Sequence, residues 1–183
     1  MPSVFLTSDT HFGHLGVTKF LRDDGTKLRP WDSVEEMDEA LIANWNSVVK
    51  PNDKVYHLGD VVINRKALHT LHRLNGEKVL IKGNHDIFKL EDYTPYFKDI
   101  RGYHVMNNFI LSHIPLHPDA KGRFNGNIHG HTHYNNVMIR GFNGKPIEQD
   151  PWYTCVCVEQ TNYTPILFEH LMKELDAVKQ NKK

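Results

Sequence analysis

The sequence predicts a mixed α/β domain, and three features lead to that prediction. Short runs rich in Val, Ile and Leu recur along the chain, and each ends abruptly in Gly, Asp, Asn or His, as buried strands do where they enter a polar turn. Helical patterns separate the early runs. The length of 183 residues suits one domain with a substantial core, so we expect residues 1–183 to form a single domain.

Five segments carry the strand pattern. They are SVFLTSDTH, DKVYHLGD, EKVLIKGNHD, NFILSHIP and GNIHGHTH. A further apolar stretch, WYTCVCVE, holds both cysteines of the chain, Cys155 and Cys157. Their spacing is not the CxxC of a redox or zinc site, so we interpret them as buried strand residues.

Helices are predicted in three places. In residues 33–49, Ser33 and Glu36 have the spacing of a capping box, and apolar residues then recur at intervals of three and four. A shorter helix is predicted over residues 65–74, before the Asn-Gly turn signal. Pro165 is expected to open a last helix, and the terminal KQNKK to fray.

Composition and charge narrow the classes of function. Lys and Arg total 22, as do Asp and Glu, so no net charge attracts the protein to long nucleic acids or to an anionic membrane. The apolar run at the N-terminus stops after Leu6 and no basic segment precedes it, which argues against a signal peptide. No later segment is long enough to span a bilayer. We therefore expect a soluble, cytoplasmic protein with no membrane partner.

Oxygen and imidazole donors collect where the predicted strands end. In chain order they are Asp9, His11, Asp60, Asn84, His85, Asp86, His113, His131 and His133. Ligands of α/β proteins bind outside the carboxyl ends of strands. Carboxylate with imidazole suits Mn, and also Fe, Zn or Ni, better than Ca or Mg. So many donors exceed the needs of one tetrahedral zinc, whereas two metals sharing a carboxylate, ~3.5–4 Å apart as in phosphoryl hydrolases, would use them.

The stretch NIHGHTH places His129, His131 and His133 at alternate positions. In an extended segment, side chains two residues apart project from the same face. The pattern is therefore either a metal-ligand arrangement or a coincidence in a chain with 13 histidines.

The blocks DTH, GD, GNHD, SH and GHTH resemble, in order, the five signature blocks of the calcineurin-like metallophosphoesterase superfamily. The resemblance runs from Asp9 to His133. It implies a two-sheet β-sandwich flanked by helices, a four-layer fold, with a dinuclear metal centre at the strand ends. One metal would be held by Asp9, His11, Asp60 and His133, and the other by Asp60, Asn84, His113 and His131.

The resemblance also implies roles around these ligands. Asp60 would bridge the two metals, and His85 would match a catalytic histidine that is not a ligand. Asp86 would orient the His85 ring. His129 matches no ligand position, and we expect it to pack in the interior or to support a ligand.

The predicted chemistry is hydrolysis of a phosphoric ester. A hydroxide held by both cations would attack phosphorus in line, and His85 would protonate the departing alkoxide. Val61 and Val62 follow Asp60, where the protein phosphatase branch is expected to carry an arginine, and Lys82 precedes Gly83; a phosphoprotein substrate is therefore doubtful. A small or cyclic phosphodiester is the expected substrate.

Several alternatives stay open. A phosphomonoesterase would need added positive charge near the metals, which Arg65, Lys121 or Arg123 would have to supply. A metal-binding scaffold without catalysis is a second alternative. A single-metal deaminase or peptidase is disfavoured because its PCxxC or HExxH pattern is absent from the sequence.

Residues around the metal blocks are also open to two interpretations. His14 and His117 each lie just beyond a ligand block, and each either faces the substrate or is structural. The loops 21–31 and 116–126 are either solvated surface or a rim that faces the substrate.

Overall fold

The computed structural model describes residues 2–180, and its first sheet is built mainly from parallel strands. The strands are β1 (Val4–Thr7), β2 (Lys54–His57), β3 (Glu77–Ile81), β4 (Asp99–Arg101) and β11 (Ile166–Leu167). Their order is β11-β1-β2-β3-β4. β1 to β4 run parallel, and β11 pairs antiparallel with β1.

The second sheet has the order β10-β7-β6-β5. Its strands are β5 (His104–Met106), β6 (Phe109–Ser112), β7 (Gly126–His129) and β10 (Tyr153–Cys155). β6, β7 and β10 are parallel, and β5 is antiparallel to β6. A separate antiparallel ribbon is formed by β8 (Met138–Arg140) and β9 (Pro146–Gln149). All five predicted strand segments are confirmed as β1, β2, β3, β6 and β7.

Helices flank the sheets. They are α1 (Val34–Val48), α2 (Leu90–Tyr93) and α3 (Phe168–Gln180), with 3-10 segments at Gly16–Thr18, Arg65–Arg73 and Pro118–Ala120. The predicted start of α1 is confirmed, because the Ser33 side chain accepts from the Glu36 amide at 3.1 Å. The reciprocal half of the capping box is shifted: the Glu36 carboxylate accepts from the amide of Asp32, at 3.3 Å.

Two helix predictions need correction. The helix predicted over residues 65–74 is a 3-10 helix. Its leucines, at positions 68, 71 and 74, repeat every three residues, which matches the three residues per turn of that helix. The chain after Pro165 first forms β11, because Ile166 and Leu167 complete the edge of the first sheet against β1. The helix continues to Gln180, so fraying does not begin at Lys179, and residues 181–183 lie outside the described part.

In the core, successive residues of the strands of the first sheet face opposite sides of that sheet, as expected of β-strands. Phe5, Val55 and Leu80 face α1 and the 3-10 helix at Arg65–Arg73, where the buried helical side chains include Trp45. Alternate residues, such as Leu6, face the second sheet and meet Leu111 and Ile128. The predicted α/β class, with sheets flanked by helices, is thus confirmed.

The topology brings distant motifs to one edge of the molecule. Because β1, β2 and β3 are parallel neighbours, the loops that follow them leave from the same end of the first sheet. β6 and β7 are likewise parallel, so the loops after them leave from the same end of the second sheet. Within residues 2–180, no helix is both long and apolar enough to cross a membrane.

Candidate metal centre

One oxygen of the Asp9 carboxylate is hydrogen-bonded within the protein, and the other faces imidazole nitrogens. Oδ2 accepts hydrogen bonds from Ser8 Oγ at 2.5 Å and from the amide of His131 at 2.9 Å. Oδ1 is buried and has no hydrogen-bond partner in the described part of the chain. It lies 3.7 Å from His11 Nε2 and 3.9 Å from His133 Nε2. A buried carboxylate oxygen facing two imidazole nitrogens is an incomplete arrangement that a cation would complete.

The two oxygens of the Asp60 carboxylate also differ in their contacts: one accepts a backbone hydrogen bond and the other faces imidazole nitrogens. Oδ1 accepts from the amide of His85 at 2.9 Å. Oδ2 lies 3.8 Å from His11 Nε2 and 3.4 Å from His113 Nε2. This single oxygen therefore lies between imidazoles that belong to two different ligand groups.

Among residues 2–180, two groups of three side chains are arranged to hold a metal ion. They are Asp9, His11 and His133, and Asp60, His113 and His131. Within each group the ligand atoms lie within 4.8 Å of one another. Asn84 adjoins the second group, because its Oδ1 is 2.8 Å from His113 Nε2. The structure thus brings together all seven side chains that the sequence predicts as ligands.

Hydrogen bonds fix which nitrogen of two histidines points inward. His113 Nδ1 donates to the carbonyl oxygen of Leu58 at 2.7 Å. His133 Nδ1 lies 3.0 Å from Glu159 Oε1, to which it donates. In both rings Nε2 is left to face the carboxylates, as in metal sites where a partner group fixes the tautomer.

The GHTH segment does not continue the β7 strand. β7 ends at His129, and His131 and His133 adopt positive φ angles of 69° and 52°. The alternative in which all three rings share one face of an extended segment is therefore wrong. Asp9, His11 and Asp60 also have positive φ, between 50° and 58°. Left-handed conformations are costly for such residues and concentrate at functional sites.

Two motif glycines permit close approach of neighbouring loops. A Cβ on Gly130 would collide with Ser8 Oγ and come within 2.5 Å of Asp9 Oδ2. A Cβ on Gly83 would collide with Asp60 Oδ1 and come within 2.6 Å of the Asp60 amide. The glycines of GHTH and GNHD are thus required by the two carboxylates they contact.

A buried ion pair behind the first ligand group was not predicted from the sequence. Arg29 is fully buried and donates to the carbonyls of Asp9 and Thr10 at 2.5 and 2.7 Å. Its Nε also donates to Glu159 Oε1 at 2.8 Å, the same oxygen that accepts from His133. Glu159 had one weak signal, as a charged residue ending the apolar run VCV; Arg29 had none.

The expectation for Asp86 requires correction. Its buried carboxylate accepts from the amides of Asp60 and Gly83, both at 2.8 Å, and from the amide of Val61 at 3.1 Å. In the described structure these bonds are to backbone amides and not to the His85 ring. Asp86 therefore joins the GD loop to the GNHD loop, because its carboxylate accepts hydrogen bonds from backbone amides of both loops.

The remaining histidines divide between site and scaffold. The His11 ring lies 5.6 Å from the His14 ring and 5.7 Å from the exposed His85 ring, so both His14 and His85 border the first group.

His117 is exposed and caps the 3-10 segment at Pro118–Ala120, accepting from the Asp119 amide. Its described contacts stay within that loop, so it is a cap and not a neighbour of the ligands. His129 is buried against Tyr153 and bonds to the Gly130 carbonyl, as expected of a structural residue.

The electrostatics of the site favour cation binding. Burial raises the pKa of the Asp9 carboxyl, but the neighbouring imidazoles of His11, His113 and His133 outweigh burial and hold that pKa well below its usual range. Burial, with the charges of His11 and Arg29, lowers the pKa of His14 to about 4. The carboxylates are therefore ionised and His14 neutral near pH 7.

These features define the class of the site as a centre for divalent metal ions. The donors are carboxylate, imidazole and amide oxygen, and two carboxylate oxygens lie between imidazole nitrogens. The residues present therefore fit a pair of divalent ions.

Comparisons with known proteins identify the family. A family model described as Calcineurin-like phosphoesterase matches residues 2–173. The chain is 35% identical over 190 residues to the uncharacterized protein MJ1445 of Methanocaldococcus jannaschii, covering 98% of this chain and 94% of that protein. It is 28% identical over 195 residues to the Gene 66 protein of Mycobacterium phage L5, covering 83% and 88%.

A solved structure gives the same result for the fold. The protein of unknown function AQ665 from Aquifex aeolicus superposes with a TM-score of 0.66 at 27% sequence identity, over 94% of this chain and 99% of that chain. The chain belongs to the calcineurin-like phosphoesterase family. It is a metallophosphoesterase, an enzyme that hydrolyses phosphoric esters.

Proposed function

We propose that this enzyme is a two-metal phosphodiesterase that acts on small or cyclic phosphodiesters. One observation carries the proposal: Asp60 Oδ2 lies within 3.8 Å of His11 Nε2 in one ligand group and 3.4 Å of His113 Nε2 in the other. A carboxylate oxygen in that position can be shared by two cations, as in hydrolases that attack phosphoryl centres.

The ligands divide into two sets that share this carboxylate. One cation would be held by Asp9, His11, Asp60 and His133, and the other by Asp60, Asn84, His113 and His131. Oxygen and nitrogen donors without thiolate favour Mn²⁺, with Fe, Zn and Ni as alternatives. When bound, the pair lowers the pKa of a water molecule and stabilises the charge that develops on the phosphoryl oxygens.

The protein's own groups then orient the ester and move a proton. The His85 amide donates to Asp60 Oδ1, so the His85 side chain leaves the loop directly beside the shared carboxylate. Its ring is exposed and lies near His11, where it can reach a leaving oxygen. We assign His85 as the general acid that protonates the departing alkoxide.

Two of the three cations that could supply charge to a monoester, Arg65 and Lys121, are paired with carboxylates, which supports a diester. Arg65 forms an ion pair with Asp92, and Lys121 Nζ lies 2.9 Å from Asp150 Oδ2. Arg29 is buried against Glu159. These groups are committed to protein carboxylates and do not offer the paired donors that a phosphate dianion uses.

Reconstitution with metal tests the proposal. Protein stripped by a chelator should bind about two equivalents of Mn²⁺ and regain hydrolysis of bis(p-nitrophenyl) phosphate in proportion to metal bound. Mn²⁺ should restore more activity than Zn²⁺, Ni²⁺ or Fe²⁺. Binding of metal without hydrolysis of the diester would support the metal-binding scaffold instead.

A further inference from the structure

A cavity of about 670 Å³ opens beside the second ligand group. Asn84 and His113 form part of its wall, so it is continuous with the metal centre. The rest of the wall is mostly apolar, and the residues that supply it are Tyr103, Val105, Ile110, Ile114, Leu116 and Phe124. A cavity of this size and lining suits an apolar group of a small molecule.

Few polar side chains line the wall, and Ser112 is already hydrogen-bonded within the protein. Ser112 Oγ donates to the carbonyl of Ile114 at 2.7 Å and accepts from Asn127 Nδ2 at 2.9 Å. The Lys82 ammonium lies over the ring of Tyr93, 6.0 Å from its centroid. An occupant with many hydrogen-bonding groups would therefore bury some of them without partners, which costs free energy, whereas an alkyl or aryl group would not.

Several apolar side chains of the cavity face water. Tyr103, Ile114 and Val105 are 66%, 52% and 40% exposed. Their exposure in a patch that adjoins metal ligands is typical of a ligand-binding surface. Covering them with substrate would remove apolar surface from water.

The position of His85 assigns the cavity to one side of the substrate. His85 borders His11 of the first ligand group, and the cavity borders Asn84 and His113 of the second. In hydrolysis, water oxygen bonds to phosphorus, the bond to the leaving oxygen breaks, and a proton passes to that oxygen. With the leaving oxygen on the His85 side, the ester group that stays on phosphorus lies on the cavity side.

We infer that the cavity binds the retained ester group of the substrate and selects phosphodiesters in which that group is an apolar alkyl or aryl chain. The inference rests on the proposed phosphodiesterase function. The product would be the monoester of that apolar alcohol, and the released alcohol would come from the His85 side.

Diesters with one fixed leaving group test the inference. For Mn²⁺-loaded protein, kcat/KM for hexyl p-nitrophenyl phosphate should exceed that for methyl p-nitrophenyl phosphate by at least about tenfold, because each buried methylene favours binding. In Val105→Asp the ratio should fall below about twofold, because a carboxylate in the wall makes the cavity unfavourable for an alkyl chain. Ile147→Asp, on the exposed β9 ribbon, is the matched control and should keep the full ratio.

Binding measured without turnover separates the two proposals. By calorimetry, hexyl(methyl)phosphinate, which has no ester bond to hydrolyse, should bind at least about tenfold more tightly than dimethylphosphinate, and Val105→Asp should abolish that difference. Tyr103→Ala, in the exposed connection between β4 and β5, should reduce the difference severalfold, and it provides a second test if Val105→Asp does not fold. If neither diester is cleaved but the affinities of the two phosphinates still differ, the catalytic proposal fails and the cavity assignment survives.

Two outcomes would overturn the cavity assignment while leaving the hydrolase intact. One is cleavage of methyl and hexyl diesters with equal kcat/KM. The other is a thymidine 5′-(p-nitrophenyl) phosphate cleaved tenfold faster than the hexyl diester, which would indicate a hydrogen-bonding occupant.

Discussion

The backbone amide of His85 donates a hydrogen bond to Asp60 Oδ1 at 2.9 Å, and this bond fixes the carboxylate so that Oδ2 faces both ligand groups. The same loop thus positions the shared carboxylate and carries the proposed acid. In the proposed mechanism, metal binding and proton transfer would therefore both depend on this loop.

Asp60→Asn should be the most damaging single change at the centre. An amide has no negative charge to share between two cations, so both sites should weaken, and kcat/KM should fall by about hundredfold or more. His113→Ala removes a ligand from one group only and is the comparison. Metal content measured by plasma emission, with kinetics on the same samples, checks this; an Asp60→Asn protein with two tightly bound metals and full activity would refute the shared role.

His85→Ala should leave metal content unchanged and lower turnover. The loss should approach ~10²–10⁴ for alkyl leaving groups, which need a proton, and be much smaller for p-nitrophenyl esters. Comparing ethyl with p-nitrophenyl as leaving group in otherwise matched diesters measures the difference. Equal losses on both would argue against general acid catalysis by this residue.

Glu159→Gln should weaken the first metal site selectively. Glu159 orients the His133 ring and balances Arg29, and loss of such a partner typically lowers metal affinity ~10–100-fold. Thermal stability should also fall, since Arg29 stays buried without its counter-charge. Glu39→Gln removes only a surface partner of Arg73 and should change neither property. Equal weakening of both metal sites in Glu159→Gln would contradict the assignment.

The sequence could group the candidate ligands because each lies within a few residues of a strand end. DTH follows β1, GD follows β2, GNHD follows β3, and the last two blocks follow β6 and β7. Strand periodicity and the rule that ligands bind at carboxyl ends were sufficient to place these blocks together.

What the sequence could not predict depends on distant contacts or on backbone strain. Arg29 and Glu159 are 130 residues apart in the chain, and no local pattern connects them. The left-handed conformation of His131 and His133 opposes local preference and is held by tertiary contacts such as the His131 amide to Asp9. The role expected of Asp86 followed from its position next to His85 in the sequence, whereas its hydrogen bonds in the structure are to backbone amides.

Asp38 should make stability depend on pH in an unusual direction. Burial raises its pKa from 3.8 to about 6, against the opposing hydrogen bond from the Gly13 amide. The folded state then binds the proton more tightly than the unfolded state, so this contribution is full below pH 3.8 and is lost as pH rises through about 6.

Asp38→Asn should therefore stabilise the metal-free protein at pH 7.5 by about 1–2 kcal/mol, allowing for partial exposure, and by little near pH 4. Asparagine keeps an acceptor for the Gly13 amide. Urea unfolding at both pH values measures the difference, with Glu148→Gln, an exposed change on β9, as the control. The same gain at both pH values would show that the carboxyl does not titrate as described.

Diester preference is the prediction that bears most directly on substrate class. A monoester brings a dianion, and its additional charge is usually met by arginine or lysine near the metals. Here Arg65 pairs with Asp92 and Lys121 with Asp150. A diester carries one negative charge, which the cations of the centre can match.

On protein with both metals bound, kcat/KM for bis(p-nitrophenyl) phosphate should therefore exceed that for p-nitrophenyl phosphate. Arg65→Gln and Lys121→Gln should leave the preference unchanged. A tenfold preference for the monoester, reduced in either variant, would instead mean that the side chain concerned leaves its carboxylate partner to bind the substrate.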